Sequence, residues 1–403
     1  MAFQLDKFIS ESVTSRPRSL FAPDVEAHAA TLRQEIAGKK VCVIGGAGSI
    51  GSAFIREILR FQPGSLVVAD LSENALAELT RDLRSTEGLS VPENFRTYTL
   101  DFADPIFEEI FREDGGYDIV ANFSAHKHVR SEKDRYSVRA LIQNNDLKAR
   151  RLLDLLAQIP PRHFFCVSTD KAAAPVNVMG ASKRVMEDLI FAYKDRFKVT
   201  TARFANVAFS NGSLPDSWLR RLQKRQPLVA PDDVLRYFVS PEESGQICLL
   251  ACILGRSGEV FYPKLRKEQM RSFSDICDRF LEAHGLQGQA FPSEAEARSA
   301  AARISEDSHN WPVYYSASDT TGEKPYEEFY VEGEKVEESR FQSLGVILDS
   351  PRHGREEVFA FLDRLEALFA DPSYTKAQVV AALEEYLPDF RHEEKGRNLD
   401  QKM

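Results

Sequence analysis

A parallel, doubly wound α/β sheet with a smaller, discontinuous C-terminal part is the fold class that this chain of 403 residues predicts. Three observations predict it. Short continuous apolar runs alternate with helix-like segments, as strands covered on both faces require. A glycine-rich turn, Gly45-Gly46-Ala47-Gly48-Ser49-Ile50-Gly51, follows the first run and opens a helix. A later run, His163 to Val167, ends abruptly in Ser168-Thr169-Asp170-Lys171, which gathers hydroxyls, a carboxyl and an amine at a strand end.

The elements follow in order. Residues 1–38 read as a polar arm ending in a short amphipathic helix, Ala27 to Ile36. Lys40 to Ile44 is the first strand. Ser52 to Phe61 repeats apolar residues at Phe54, Ile55, Ile58 and Leu59, one face of a helix. Ser65 to Ala69 is the second strand and Ala75 to Leu83 the second helix. Tyr98 to Leu100, Ile119 to Phe123 and His163 to Val167 continue the alternation, and Val199 to Phe204 is expected to close the sheet. Beyond 205 the pattern loosens around Pro215, Pro227, Pro231 and Pro241 before a helix at Ser244 to Leu254. A surface helix with a flexible lead-in is expected over 286–306, then amphipathic helices at Glu356 to Phe369 and Lys376 to Tyr386. The charged end, Arg391 to Met403, offers no core face; its run Glu393 to Arg397 reads as a solvated tail. The expected division is an arm at 1–38, a dinucleotide-binding unit at 39–205 with its core reaching about 260, a mainly substrate-binding part at 206–350, and a helical extension at 351–403.

Bulk properties narrow the function. The chain is 43% hydrophobic and 28% charged, with a formal net charge of -9. That charge argues against nucleic acid or an anionic membrane as main partner, while leaving room for a local basic pocket. Five cysteines show no paired spacing; Cys42 and Cys166 fall inside apolar runs and read as reduced, buried thiols. There is no apolar run of about 18 residues and no secretory apolar core at the N-terminus, so a soluble cytoplasmic protein is expected. His126 and His128 form an H-x-H pair, which is an incomplete metal site, and no metal is expected.

The glycine turn specifies a ligand class. Gly45, Gly48 and Gly51 let backbone approach a pyrophosphate at a helix N-terminus, with Ser49 and Ile50 opening that helix. Asp70 ends the next strand, nineteen residues past Gly51. A carboxylate there accepts both hydroxyls of an adenosine ribose and repels a 2'-phosphate, which favours NAD over NADP. Together these features form a Rossmann-type fingerprint. Asp101 and Phe102, after the third strand, are placed to meet the adenine, with a solvated turn as the alternative.

The strand-end cluster specifies a reaction class. Asp170 and Lys171 supply a candidate acid and base; a loop-stabilising polar cluster is the competing reading. Lys183 lies four residues beyond Met179 on one helix face. Dinucleotide-dependent sugar-modifying enzymes usually have Y-x-x-x-K there, the lysine binding the nicotinamide ribose. Methionine takes no proton, so the usual base is missing and Met179 is left to pack against the ligand.

Gly45 to Gly51, Lys127-His128-Val129, Ser168 to Ala172, Asn177-Val-Met-Gly180, Lys183-Arg184, Arg203-Phe-Ala-Asn206 and Arg236-Tyr-Phe238 resemble the nucleotide-sugar 4,6-dehydratases of bacterial polysaccharide biosynthesis. These are extended short-chain dehydrogenase/reductases, and the likeness runs over roughly 30–345. The resemblance implies a UDP-sugar substrate such as UDP-N-acetylglucosamine, tightly bound NAD, and a homodimer or higher homo-oligomer. It also implies hydride removal from sugar C4, proton removal from C5 by Lys171, departure of the C6 hydroxyl with a proton from Asp170, and hydride return to C6. The C4 hydroxyl proton is left to Thr169, Asp170 or water. Lys127 and His128 are expected to line the sugar pocket, or else to be structural. Asn206 and Arg236 are expected to hold the diphosphate. Methionine at the tyrosine position resembles the subgroup that retains configuration at C5.

Three departures stand out. Asn206-Val-Ala-Phe-Ser-Asn-Gly-Ser213 replaces N-V-x-G-S-R-G-S, Arg130 replaces a proline, and Lys148 replaces a glycine. A 4-epimerase would share the cofactor site and the ketone. An NAD-responsive protein without catalysis would share the cofactor site alone.

Overall fold

The computed structural model describes residues 3–128, 132–305, 307–317, 326, 328–348 and 353–392. Its main sheet has nine strands: β1 (Lys40–Ile44), β2 (Ser65–Asp70), β3 (Asn94–Thr99), β4 (Ile119–Asn122), β5 (His163–Val167), β6 (Val199–Ala202), β7 (Glu259–Pro263), β8 (Lys335–Glu337) and β9 (Leu344–Leu348). They lie in the order β8-β9-β7-β6-β5-β4-β1-β2-β3. β3 through β7 pair in parallel, whereas β9 runs antiparallel to both β7 and β8. Val43 of β1 stands between Val68 of β2 and Ala121 of β4. The chain therefore winds outward to β3 and then reverses to β4. The crevice at that reversal, at the carboxyl ends of the strands, is where such sheets bind ligands.

Helices cover both faces because the strands are apolar on both. On one side α1 (Ser49–Leu59) packs against α2 (Pro241–Leu254). Gly245 permits that approach, since a Cβ there would lie 2.5 Å from the Ala53 carbonyl oxygen. On the other side lies α3 (Val178–Phe191), buried at every residue. Its outer surface is covered by α4 (Arg355–Ala370) and α5 (Lys376–Tyr386), near the predicted positions. A second core gathers Trp218, Phe238, Phe280, Trp311 and Val313 beside a three-stranded parallel sheet.

Several expectations change. The arm is not simply polar: Phe8, Ile9 and Val13 enter the second core, and Phe21, Val25, Leu32 and Ile36 the main one. Its helical end is two helices, Ala22–Ala27 and Ala29–Ile36. The flexible lead-in before Glu294–Ala301 is a strand, Gln287–Ala290, paired in parallel with Asn310–Ser316. β6 does not close the sheet, because β7, β9 and β8 extend it. Leu344-Gly-Val-Ile-Leu348 is an apolar run separated from β7 by eighty residues, so its return to the edge is invisible to local periodicity.

The C-terminal segment also differs from a purely solvated tail, since Phe390 is buried and His392 has a buried side chain. Glu393 to Arg397 lies outside the described residues. All five cysteines are free and buried. No helix among the described residues is long and apolar enough to cross a membrane.

Candidate active site

At the crevice beside β1 lies a cavity of about 230 Å³ lined by Gly45, Gly48, Ser49, Ile50, Gly51, Asp70, Asp101, Phe102, Ser124, Lys127 and Asn144, among others. Its floor needs glycine. Gly45 has φ +69°, and a Cβ there would lie 2.6 Å from the Ser124 nitrogen. One on Gly51 would lie 2.4 Å from the Gly45 carbonyl oxygen. Gly48 enters α1 in an extended conformation with no side-chain cap, so the first N–H groups of the helix suit an anion. Asp70 is oriented by the Ala47 N–H on Oδ2 and the Ser72 N–H on Oδ1, both at 3.0 Å. A cradle closed to Cβ atoms with a fixed carboxylate at its rim fits a dinucleotide. Asp101 lines the same cavity, but its carboxylate already accepts from the Ala103 N–H and pairs with Lys148, the residue in the glycine position.

The cavity's lip is tied across elements. The Asn211 N–H donates to Ser49 Oγ at 2.8 Å, and Lys127 Nζ donates to the Asn211 carbonyl at 3.1 Å. His128 stands against Gly212, where a Cβ would lie 3.3 Å from Nε2. The departing segment 206–213 thus closes over the glycine turn with backbone groups where the resembling family carries an arginine. Burial and the nearby Lys148 lower the pKa of His126. Among the described residues no group of three His, Cys, Asp or Glu side chains could hold a metal ion.

At the end of β5, Thr169 caps a short 3-10 turn, Asp170–Ala172. Asp170 Oδ1 accepts from the Thr169 hydroxyl at 2.7 Å, from the Lys171 N–H at 2.9 Å and from Lys171 Nζ at 3.1 Å. Asp170 is buried, whereas Lys171 keeps 19% of its side chain exposed and so remains reachable. The start of α3 rests on this turn: Asn177 caps the helix through the Gly180 N–H, and a Cβ on Gly180 would lie 2.7 Å from the Lys171 carbonyl oxygen. Acid and base candidates are therefore brought together and held from behind.

Other expected residues stand elsewhere. Met179 is buried in the main core. Lys183 does not line the cavity; its side chain turns inward and Nζ donates to the Val167 carbonyl at 3.0 Å, with burial lowering its pKa. Asn206 belongs to a two-residue strand beside Phe238–Val239, and its N–H donates to Tyr237. Arg236 is buried in a strand beside Arg271–Ser272, with Nη1 on the Leu235 carbonyl.

Sequence reasoning missed Glu187. It is fully buried one turn past Lys183 and accepts from Ser168 Oγ at 2.6 Å, Arg203 at 2.9 and 2.7 Å, and Arg184 at 2.9 Å. Burial alone would raise this carboxyl, but the guanidiniums of Arg203 and Arg184 and the Ser168 hydroxyl outweigh it and hold it down to about 2. The signal was the i, i+4 step from Lys183, on a helix whose charged residues Lys183, Arg184, Glu187 and Asp188 share one face. Asn145 was passed over too. It accepts from the His126 N–H at 2.8 Å and donates to Ser182 Oγ at 3.1 Å, bracing the loop against α3.

A family model described as polysaccharide biosynthesis protein matches residues 41–348. An uncharacterized membrane protein of Methanocaldococcus jannaschii is 30% identical over 59% of this chain and 70% of its own length. The capsular polysaccharide biosynthesis protein CapD of Staphylococcus aureus is 30% identical over 59% of this chain, but over only 40% of its own length. This chain therefore spans well under half of CapD. Among solved structures, Pen from Bacillus thuringiensis superposes with a TM-score of 0.64 at 20% identity, covering 79% of this chain and 90% of that one, a likeness of fold.

Proposed function

From the premise that the chain belongs to the polysaccharide biosynthesis protein family, a branch of the extended short-chain dehydrogenase/reductases, we propose that it is an NAD-dependent nucleotide-sugar 4,6-dehydratase. The carrying observation is Asp170 and Lys171, 3.1 Å apart at the end of β5, in the sheet whose switch point holds the glycine-floored cavity. The reading covers conversion of a UDP-sugar, UDP-N-acetylglucosamine first, to its 4-keto-6-deoxy product by a cytoplasmic homo-oligomer. It assigns 39–205 to the cofactor, 206–350 mainly to substrate, and the diphosphate to Asn206 and Arg236.

Gly45 to Gly51 would hold the pyrophosphate and Asp70 the adenosine ribose; ribose contact by Lys183 would require its amine to turn from Val167. When bound, NAD+ supplies the group that takes hydride from sugar C4 and returns it to C6. The chain's residues manage protons. With no tyrosine at 179, the C4 hydroxyl proton passes through Thr169 Oγ to Asp170, 2.7 Å away. The 4-ketone acidifies C5–H, and Lys171 in its neutral form takes that proton. Asp170 then gives its proton to the departing C6 hydroxyl, which leaves as water. Lys171 returns its proton to C5 as C6 is reduced. Protons and electrons balance, and the only loss is water.

Incubation with UDP-, dTDP-, GDP- and CDP-sugars, read by mass, tests the reaction. A product lighter by one water supports it; unchanged mass with altered stereochemistry would mean epimerisation instead. Lys171→Ala is expected to abolish exchange of the C5 hydrogen with solvent deuterium while NAD binding persists. Undiminished exchange in that variant would remove the base assignment.

A further inference from the structure

The matched region ends at residue 348, yet the chain continues into α4 and α5, which pack on the helix that carries Met179 and Lys183. Their apolar residues, Phe361, Leu362, Leu365, Val379 and Leu383 among them, join the main core. That much would be an ordinary cover. Past α5, however, the chain makes a polar contact of another kind. His392 Nε2 lies 3.2 Å from Glu132 Oε2, and each side chain is only 4% exposed. The other oxygen of Glu132 accepts the Met179 N–H at 3.0 Å. His392 is itself held by its own N–H on Glu384 of α5 at 3.1 Å.

A second polar route runs beside the first. Tyr386 of α5 donates to Asp188 at 3.2 Å, Asp188 pairs with Arg184 at 3.1 Å, and Arg184 pairs with Glu187, which holds Ser168 beside the reactive turn. A buried polar pair adds little net stability compared with apolar packing, but it admits one geometry. An apolar lid would allow α4 and α5 to slide over α3. The His392–Glu132 pair does not, because any slide leaves a buried carboxylate oxygen without its donor.

We propose that His392 is a positioning residue of the reactive site. By holding one oxygen of Glu132 it keeps the other on the Met179 N–H, and so fixes the first turn of α3 against the Thr169–Lys171 turn. The C-terminal hairpin is then part of the working enzyme and not only a cover. The catalytic consequence rests on the dehydratase reading; the structural consequence does not.

The test uses the full chain and three variants: H392A, H392Q, which retains a side-chain N–H donor, and R150A. Arg150 pairs with Asp363 at 2.5 Å and stacks on Phe359, so R150A loosens the hairpin on its outer side without touching Glu132. Hydrogen exchange read by mass over residues 177–183 is expected to accelerate in H392A and to return toward the parent rate in H392Q. R150A is expected to leave it unchanged.

Turnover of the nucleotide sugar in H392A is expected to fall about tenfold with KM preserved, as for a sub-ångström displacement of reacting groups. Unchanged exchange over 177–183 in H392A would overturn the proposal. So would equal exchange and turnover losses in H392A and R150A at matched melting temperature, since that pattern belongs to a merely structural contact. If no sugar is turned over by the parent chain, the dehydratase reading fails while the exchange measurement still decides the role of His392.

Discussion

Phe209 occupies the position where the resembling family carries glycine, and it keeps a glycine's conformation, with φ +53°. A left-handed backbone costs a bulky residue about 1–2 kcal/mol. The offset is visible: the ring is buried among Phe8, Trp218 and Phe280, with centroids 5.8 to 6.3 Å away. Removing a buried phenylalanine ring costs about 3–5 kcal/mol, so the packing wins. Phe209→Gly is therefore expected to destabilise the chain by about 1–4 kcal/mol net of the relieved strain, measured by denaturant unfolding. A stabilised variant would mean that the ring contributes less than its burial indicates. The consequence reaches the site, since two residues on, Asn211 closes the lip of the cavity through Ser49 and Lys127.

Helix α3 shows what an element must do when nothing of it meets solvent. Arg184, Glu187 and Asp188 are all buried, and each is held within a network that includes Arg203, Ser168 and Tyr386. Glu187 carries the pH dependence. Its carboxyl is held down to about 2 in the fold, against an ordinary value of 4.5. The folded state thus binds fewer protons than the unfolded chain between those values. The stabilisation is fully present above about pH 4.5 and is lost as pH falls toward about 2. Glu187→Gln is expected to lower stability at neutral pH by about 3–5 kcal/mol, because Arg203 and Arg184 lose their common counter-charge. It should also flatten the stability profile between about pH 4.5 and 2. An unchanged acid limb in urea titrations across that range would mean that the network is not what acid breaks.

Across the whole molecule, both chain ends staple parts that sequence order keeps apart. Arg16 makes a two-armed contact with Glu243 at the start of α2, at 2.7 and 2.6 Å, and also reaches the Phe238 carbonyl at 2.8 Å. Asp24 accepts the N–H groups of Gln342 and Ser343 at 2.6 and 2.8 Å, just before β9. The arm therefore joins the main sheet to the second core, into which Phe8 and Ile9 insert. Arg16→Ala leaves Glu243, 1% exposed at its side chain, without its guanidinium. A loss of about 3–5 kcal/mol is expected. Thermal unfolding checks it, and a shift no larger than that of an exposed-pair control such as Arg81→Ala would show the staple to be dispensable.

What the residues determined alone was local and periodic. Alternating apolar runs predicted β1, β2, β4, β5 and β6, the glycine spacing placed the turn that floors the cavity, and the polar stop after Val167 placed Asp170 beside Lys171; β3, Asn94–Thr99, is largely polar and only its end overlaps the run expected at Tyr98 to Leu100. These signals survive because each depends on neighbours a few residues away. Tertiary structure decided what depends on distant partners. It brought β9 back to the sheet edge, turned Lys183 inward onto Val167, buried Glu187 between two arginines and set His392 against Glu132. Such groups are polar in the sequence and would be read as solvated; only the fold, by removing water around them, makes one specific partner cheaper than none.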